Sequence, residues 1–255
     1  MIAAQLKLTE PTPSRFQTQI ASENDRGRET RLPFDEMPPT FTDSLTIKAQ
    51  QRVPLQFGNS LAILRNGVLA VDAMPTKGRL QVLDFLLPGD VLPISDVSLW
   101  GKVSLRAITG ASLAVCSPDT IITENAQKYW PFLYSIIKKQ VTRVNLHQLV
   151  IGRLESRARV ASFLLEMAFR CEPALNTNIV ALPMSRTDIA NYLVINCDTL
   201  SRIMASFALG GLIERQNRNF VKIIDFNKLR DASPIAPLLS AVFEWRERNQ
   251  GMVLI

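Results

Sequence analysis

The sequence predicts an α+β protein: an antiparallel β-roll, then a long helix, then a helix–turn–helix with a two-stranded wing. Short alternating apolar runs with turn residues between them indicate the roll. Apolar residues spaced three and four apart indicate the long helix. Two short helical patterns before a basic hairpin indicate the third part. At 255 residues the chain has room for about two domains of roughly 100–200 residues each.

The expected division of the chain follows from these changes in pattern. We expect a poorly ordered arm over 1–42, the roll over 43–123, the long helix over 124–153, the helix–turn–helix domain over 154–230 and a terminal helix over 231–255. The arm is interrupted by prolines such as Pro11, Pro13 and Pro33, and it has too little apolar surface to offset the entropy of ordering.

Two turn signals organise the predicted roll. Asn66-Gly67 lies between two alternating apolar runs, which is the strongest short-range signal for a β-hairpin. Thr109-Gly110 separates a second pair of runs, 103–108 and 111–116. Several short strands joined by such turns are typical of a small antiparallel roll or barrel.

The long helix carries a coiled-coil pattern. Residues spaced 3, 4, 3, 4 and 3 apart form a seam with one polar position, made of Tyr134, Ile137, Val141, Val144, Gln148 and Ile151. An isolated helix of this length is marginal in water, so the seam predicts a partner, most simply a second copy across a two-fold axis. The alternative is a helix that packs on its own roll.

The segment 182–220 predicts the helix–turn–helix. Ser185 and Asp188 have the spacing of a capping box, Asn196 can cap the second helix, and Gly210-Gly211 ends it. The second helix exposes Cys197, Asp198, Ser201 and Arg202 on the face opposite Leu200 and Phe207. A short helix with such a face is suited to the major groove of DNA. Two strands follow, and the turn between them carries Arg218. A last amphipathic helix is predicted near 237–249.

Composition limits the other classes of function. A net charge of +6 favours a polyanionic partner. The three cysteines, Cys116, Cys171 and Cys197, are far apart, and no Cys/His cluster has metal-ligand spacing. We found no signal peptide, no apolar run long enough to span a bilayer and no catalytic set. The sequence therefore predicts a cytoplasmic protein that is not an enzyme and has no cofactor, no metal and no membrane partner.

The order of these parts resembles the Crp/Fnr family of bacterial transcription regulators. The motifs that carry the resemblance are QVLDFLLPGD (81–90), RARVASFL (157–164), LPMSRTDIANYL (182–193) and TLSR (199–202). The resemblance covers about 45–230. It implies a cyclic-nucleotide-binding-like roll, a homodimer, and double-stranded DNA and RNA polymerase as partners, with activation or repression left open.

The resemblance also assigns the residues that read DNA. Arg202 would contact a guanine through O6 and N7, and Asp198, where the family usually has Glu, would accept from a cytosine amino group. Ser201 in place of Gly is similar to the Fnr/FixK-type branch, which prefers TTGAT-like half-sites. Candidates for contacts to DNA phosphates are Arg186, Thr187 and Thr199, and Cys197 and Arg218 are further candidates for DNA binding. The alternative is an ordinary helical hairpin in which Asp198 and Arg202 form a surface ion pair.

Three departures from the family pattern bear on regulation. The segment after Pro88-Gly89-Asp90 has no Gly-Glu and no Arg-Ser/Thr, so a cyclic nucleotide is not expected. The clustered cysteines of the iron–sulfur branch are missing near the N-terminus. Val194 stands where the family commonly has Gly in the turn, so the turn is expected to be reshaped. The remaining similarity is to FixK-type regulators.

Two hypotheses stay open beside this interpretation. Cys197 begins the predicted recognition helix, so its oxidation would put polarity or negative charge against DNA phosphates. In the alternative function, the chain is a ligand- or redox-sensing protein whose DNA-binding domain is degenerate or non-specific.

Overall fold

The computed structural model describes residues 43–54, 61–74, 80–92, 102–116, 130–170 and 177–243. The chain divides into two compact units, one of 1–79 with 83–137 and one of 80–82 with 138–255. The predicted arm, 1–42, lies outside the described residues. The α+β fold class is confirmed, with an N-terminal antiparallel roll and a C-terminal helix–turn–helix.

The first unit contains a roll of two antiparallel sheets. The strands are β1 (Asp43–Ile47), β2 (Arg52–Pro54), β3 (Leu61–Asn66), β4 (Leu69–Met74), β5 (Gln81–Leu86), β6 (Lys102–Ala107) and β7 (Ala111–Cys116). One sheet has the order β1-β7-β3 and the other β2-β6-β4-β5. Alternate residues such as Leu64, Leu69, Leu105 and Leu113 are fully buried and form the core. Every second residue of these strands thus faces the core, while several residues between them are also buried.

The two predicted hairpins are corners between the sheets, so the predicted strand pairing is wrong. The strands β3 and β4, on either side of Asn66-Gly67, lie in different sheets, and so do β6 and β7. Instead β3 pairs with β7, and β4 pairs with β6. The two corners pack together closely, because a Cβ at Gly67 would overlap the Gly110 carbonyl oxygen. A local turn signal fixes where the chain reverses, whereas distant strands decide the pairing.

A buried ion pair crosses the second sheet of the roll. Arg106 donates to both carboxylate oxygens of Asp72, from Nε at 2.7 Å and from Nη2 at 3.2 Å. Arg52 lies 3.3 Å from the same carboxylate. Asp72 and Arg106 are both buried, and breaking such a pair leaves an uncompensated charge. Arg106 therefore has a structural partner on the neighbouring strand of the same sheet.

The second unit is built around one buried helix. Its helices are the end of α1 (Trp130–Arg153), α2 (Ser156–Arg170), α3 (Arg186–Tyr192), α4 (Cys197–Leu209), α5 (Phe226–Asp231) and α6 (Ala236–Phe243). Every residue of α2 from Val160 to Phe169 is buried. The sheet has the order β8-β10-β9, with β8 (Ile179–Ala181), β9 (Ile213–Arg215) and β10 (Phe220–Ile223). The wing strands were predicted, whereas β8 and α5 were not.

The terminal helix packs on the second unit's buried helix in its described part. Helix α6 is described over Ala236–Phe243, and the predicted continuation to 249 lies outside the described residues. Leu239 is buried, and the Ser233 hydroxyl before the helix bonds to that of Ser162 on α2 at 2.7 Å. The helix therefore packs on α2. Across the described ranges, no helix has the length and apolar character needed to cross a membrane.

Candidate nucleic-acid interface

Helix α3 begins with the predicted capping box. The Asp188 amide donates to the Ser185 hydroxyl at 3.0 Å, and the Ser185 amide donates to the Asp188 carboxylate at 3.2 Å. Two backbone amides at the helix start are thereby satisfied reciprocally. Ile189 and Tyr192 are buried on the inner face. The start of α3 is therefore determined by residues three apart in the sequence.

The end of α3 is a tight reversal that normally takes glycine. The Ile195 amide donates to the Ala190 carbonyl at 3.0 Å, and the Val194 amide donates to the Asn191 carbonyl at 3.2 Å. These two bonds define a Schellman motif, in which Val194 holds the left-handed position. Its φ is +53°, and its side chain is 52% exposed. The turn thus has the left-handed residue that glycine usually supplies, although we expected valine to reshape it.

Helix α4 begins and ends differently from α3. Asn196 occupies the N-cap position, but its side chain makes no capping bond, so the predicted cap is wrong in its chemistry. At the other end the Leu212 amide donates to the Phe207 carbonyl at 2.9 Å, and Gly211 has φ +68°. The predicted glycine ending is confirmed. A second Schellman motif closes α4, this time with glycine in the left-handed position.

The outer face of α4 presents the predicted base-reading residues. Asp198 and Arg202 are exposed and Ser201 is half-buried, while Leu200 and Phe207 are buried on the opposite face. No ion pair joins Asp198 to Arg202, and within the described ranges neither has a hydrogen-bond partner. The surface pair of the alternative interpretation is therefore not formed. Both charged groups remain available to an external ligand.

The other predicted DNA-binding residues fall into two places. Arg186 and Thr187 are exposed in the first turn of α3, and the Thr187 hydroxyl lies 3.7 Å from the Cys197 sulfur at the start of α4. This contact brings the first turns of the two helices together. Thr199, two residues after Cys197, is half-buried. Arg218 is exposed in the wing turn, away from both helices in the sequence.

The wing turn is organised by one asparagine. The Asn217 carboxamide oxygen accepts from the amides of Asn219 at 2.8 Å and of Phe220 at 3.1 Å. An asparagine that bonds to the backbone two and three residues on stabilises a tight turn. The neighbouring Arg218 side chain is thereby presented at the tip of the wing.

Sequence reasoning missed two arginines of α2 that contact the helix–turn–helix. Arg157 donates to the Ser206 hydroxyl at 2.8 Å, and its guanidinium lies 4.5 Å from the centre of the Phe207 ring. Arg159 donates from Nη1 to the carbonyls of Leu193 at 3.0 Å and Val194 at 3.2 Å. The high charge density of 153–159 predicted the start of a helix. It could not indicate that Arg159 bonds to backbone carbonyls about 35 residues further along the chain.

The seam residues of α1 lie on one exposed face of that helix. Tyr134 is 65% exposed and Val141 53%, and Ile137, Val144 and Gln148 are also exposed. Ile151 is half-buried. The chain's one histidine, His147, does not share that face: its ring stacks on the Tyr192 ring of α3, with centroids 3.9 Å apart. The end of α1 therefore contacts the first helix of the helix–turn–helix.

The described residues offer little for a metal ion. Within those ranges no group of three His, Cys, Asp or Glu side chains is placed to hold one. The segment that would carry a cyclic-nucleotide cassette, 93–101, lies outside the description, as do Cys171 and the side chain of Cys116. Cys197 is a free, half-buried thiol.

Comparisons with known proteins agree with this geometry. Residues 158–232 match the Crp-like helix-turn-helix domain. FixK of Rhizobium meliloti is 30% identical over 164 residues, which cover 64% of this chain and 74% of that protein. The regulatory protein btr of Bordetella pertussis is 27% identical over 76% of this chain and 86% of its own length.

A solved structure shows the same fold. FixK2 from Bradyrhizobium japonicum superimposes with a TM-score of 0.63 at 22% identity, covering 75% of this chain and 96% of that one. This likeness concerns the fold alone, while the sequence relatives are named as regulators of transcription or nitrogen fixation. The chain belongs to the Crp/Fnr family of DNA-binding transcription regulators.

Proposed function

We propose that this regulator binds DNA as a homodimer, places α4 of each copy in the major groove and reads a TTGAT-like palindrome. The observation that supports this most directly is the outer face of α4. Asp198 and Arg202 are exposed there one turn apart, and no intramolecular ion pair joins them. Both side chains are therefore exposed and oriented away from each other's charge, as contacts to base edges require.

Each side chain on that face has a chemical role. Arg202 donates two bonds to guanine O6 and N7, the commonest base-specific contact in the major groove. Asp198 accepts from a cytosine amino group. Because its side chain is one methylene shorter than that of glutamate, the gap between α4 and the base must be smaller for this bond to form. Ser201, in place of glycine, is similar to the FixK-type regulators and favours a TTGAT-like half-site. Arg186, Thr187, Thr199, Cys197 and Arg218 lie near the DNA backbone, where contacts position the protein without selecting a sequence.

Dimerisation through α1 would set the spacing of the two reading helices. The exposed apolar seam of α1 has the heptad spacing of a two-stranded coiled coil, with Gln148 as its polar position. Two copies related by a two-fold axis read half-sites about 34 Å apart, one turn of DNA. A palindromic operator follows from that symmetry.

The remaining parts of the proposal concern partners and place of action. Double-stranded DNA and a second copy of the chain are the direct partners, and RNA polymerase is the partner through which transcription responds. The relatives are named as regulators and not as enzymes, which supports a protein that is not an enzyme. A regulator that reads chromosomal DNA acts in the bacterial cytoplasm.

The oxidation of Cys197 would weaken this binding. The thiol is half-buried beside Thr187 at the DNA-facing end of α4. Peroxide converts a thiol to a sulfenic acid with release of water, and further oxidation adds negative charge that repels phosphate. We expect peroxide to lower the DNA affinity of the wild type and to leave that of Cys197→Ala unchanged. Equal losses in both proteins would exclude this role.

The test of the proposed function is a comparison of two duplexes. Affinity for TTGAT-N4-ATCAA is measured against a scrambled duplex at a fixed, stated salt concentration. The wild type should prefer the palindrome, and Arg202→Ala should lose about 1–3 kcal/mol of that discrimination. A ratio near one for the wild type would favour the alternative, a ligand- or redox-sensing protein with a non-specific DNA-binding domain.

A further inference from the structure

The turn between α3 and α4 contains a residue in an unfavourable conformation. Of the described residues other than glycine, Gln50, Asn178 and Val194 have positive φ, and Val194 is the β-branched one among them. Asparagine tolerates the left-handed region, but a β-branched side chain does not. Val194 is also half-exposed, so little buried apolar surface offsets the strain. Something outside the turn must hold it in this shape.

Arg159 makes the contacts that can do so. From the second turn of α2 its guanidinium donates through Nη1 to the carbonyls of Leu193 at 3.0 Å and Val194 at 3.2 Å. Its Nε donates to the Leu154 carbonyl at 2.8 Å, just after the end of α1. The planar guanidinium thus joins the strained turn to the segment between α1 and α2. A lysine ammonium carries its three N–H donors on one nitrogen, so it cannot reproduce a contact in which Nε and Nη1 of the guanidinium reach separate carbonyls.

We propose that Arg159 is a positioning residue that sets the orientation of α4 by clamping the strained turn. Helix α4 begins at Cys197, three residues after Val194, so the dihedral angles of the turn set the angle at which α4 leaves α3. This inference rests on the proposed function, because it concerns how accurately α4 meets bases. A different role for a basic residue in such a protein is a direct bond to a DNA phosphate, and the experiment separates the two.

The experiment is a double-mutant cycle between Arg159 and Val194. Arg159→Ala and Arg159→Lys are made in the wild type and in a Val194→Gly background. For each, affinities for the palindrome and the scrambled duplex are measured over a range of salt. Arg159→Ala and Arg159→Lys should each lower the palindrome-to-scrambled ratio about tenfold, because charge-assisted bonds that fix the turn are lost. In the Val194→Gly background the loss should fall to about threefold, because glycine needs no clamp at positive φ.

The opposite results are equally clear. Recovery by Arg159→Lys, or equal losses on both duplexes with a salt slope smaller by about one, would identify a phosphate contact and overturn the clamp. If Arg159→Ala lowered the palindrome-to-scrambled ratio equally in the wild-type and Val194→Gly backgrounds, the clamp would also be overturned. The matched control is Arg157→Ala, because Arg157 contacts Ser206 and Phe207 and not the turn. Arg157→Ala should change the palindrome-to-scrambled ratio by the same factor in the wild type and in the Val194→Gly background.

The clamp and the proposed function can fail separately. A wild-type ratio near one rejects the proposed function, and the cycle is then evaluated from the midpoints of urea unfolding. The Val194→Gly change should again reduce the effect of Arg159→Ala, and strictly additive shifts would reject the clamp. If Arg159→Ala does not fold, Arg159→Lys completes the cycle.

Discussion

Helices α3 and α4 have their favourable caps at opposite ends. Helix α3 begins with a bonded capping box and ends in a Schellman motif on Val194, whereas α4 begins with an unbonded Asn196 and ends in the same motif on Gly211. The two outer ends make the capping interactions that local physics prefers. At the turn, Val194 is an unfavourable residue for the left-handed position and Asn196 makes no capping bond. The tertiary contacts of Arg159 therefore add to the two Schellman bonds at the junction of the helices.

The largest effect is expected when the left-handed valine that ends α3 is introduced at the end of α4. Gly211→Val puts a β-branched residue at φ +68°, in a turn that no arginine of the described ranges contacts through a hydrogen bond. A Cβ there meets nothing within 4 Å, so the effect is conformational strain and not a clash. We expect the full-length chain to lose about 2 kcal/mol of stability in urea unfolding.

The matched control is Gly152→Ala on α1. Its Cβ also meets nothing within 4 Å, but its backbone is helical, so alanine should stabilise the helix by up to about 1 kcal/mol. A loss for Gly152→Ala as large as that for Gly211→Val would show that any added side chain is harmful, whatever the φ.

The second prediction concerns the bonded start of α3. Ser185→Ala removes the hydroxyl that accepts from the Asp188 amide and should destabilise the chain by about 1 kcal/mol. Thermal unfolding of Ser185→Ala beside Ser185→Thr, which keeps a hydroxyl, measures the effect. Equal losses in the two variants would mean that the capping bond contributes nothing.

The third prediction relaxes the turn. Val194→Gly removes a left-handed strain of about 1–2 kcal/mol but adds backbone entropy of roughly 0.5–1 kcal/mol to the unfolded chain. The expected net effect is a gain of about 0.5 kcal/mol in urea unfolding. Val194→Ala removes the β-branch but keeps a Cβ at φ +53°, so it should gain less than Val194→Gly. If Val194→Gly lowered stability, the strain in the turn would be refuted.

Local signals and distant contacts explain which parts of the molecule the sequence could predict. The capping box at Ser185 and the glycine ending at Gly210-Gly211 involve residues within five positions, and both were predicted correctly. The exposed face of α4 follows from helical period alone. The turn at Asn66-Gly67 was located correctly, but its strands pair with partners about 30–55 residues away, which no local pattern specifies.

The roles of the arginines were hidden for the same reason. Arg106 shows the ordinary pattern of a charged strand residue, yet Asp72, 34 positions earlier, makes it part of a buried pair. Arg159 has the spacing of a solvated helix residue, yet it donates to carbonyls of a turn in another helix pair. Side-chain bonds to backbone carbonyls leave no residue-type signal in the sequence, since every residue has a carbonyl.

The smallest expected effect is at the unbonded start of α4. An asparagine at the N-cap commonly contributes about 0.5–2 kcal/mol through its side-chain bond, but that of Asn196 makes none. We therefore expect Asn196→Ala to change stability by less than about 0.5 kcal/mol in urea unfolding, well below Ser185→Ala. Asn196→Asp serves as the companion variant, because a carboxylate at a helix start is favourable even without a bond. A loss near 1 kcal/mol for Asn196→Ala would show that the two helix starts are alike, and the contrast between the outer ends and the junction would then rest on Val194 alone.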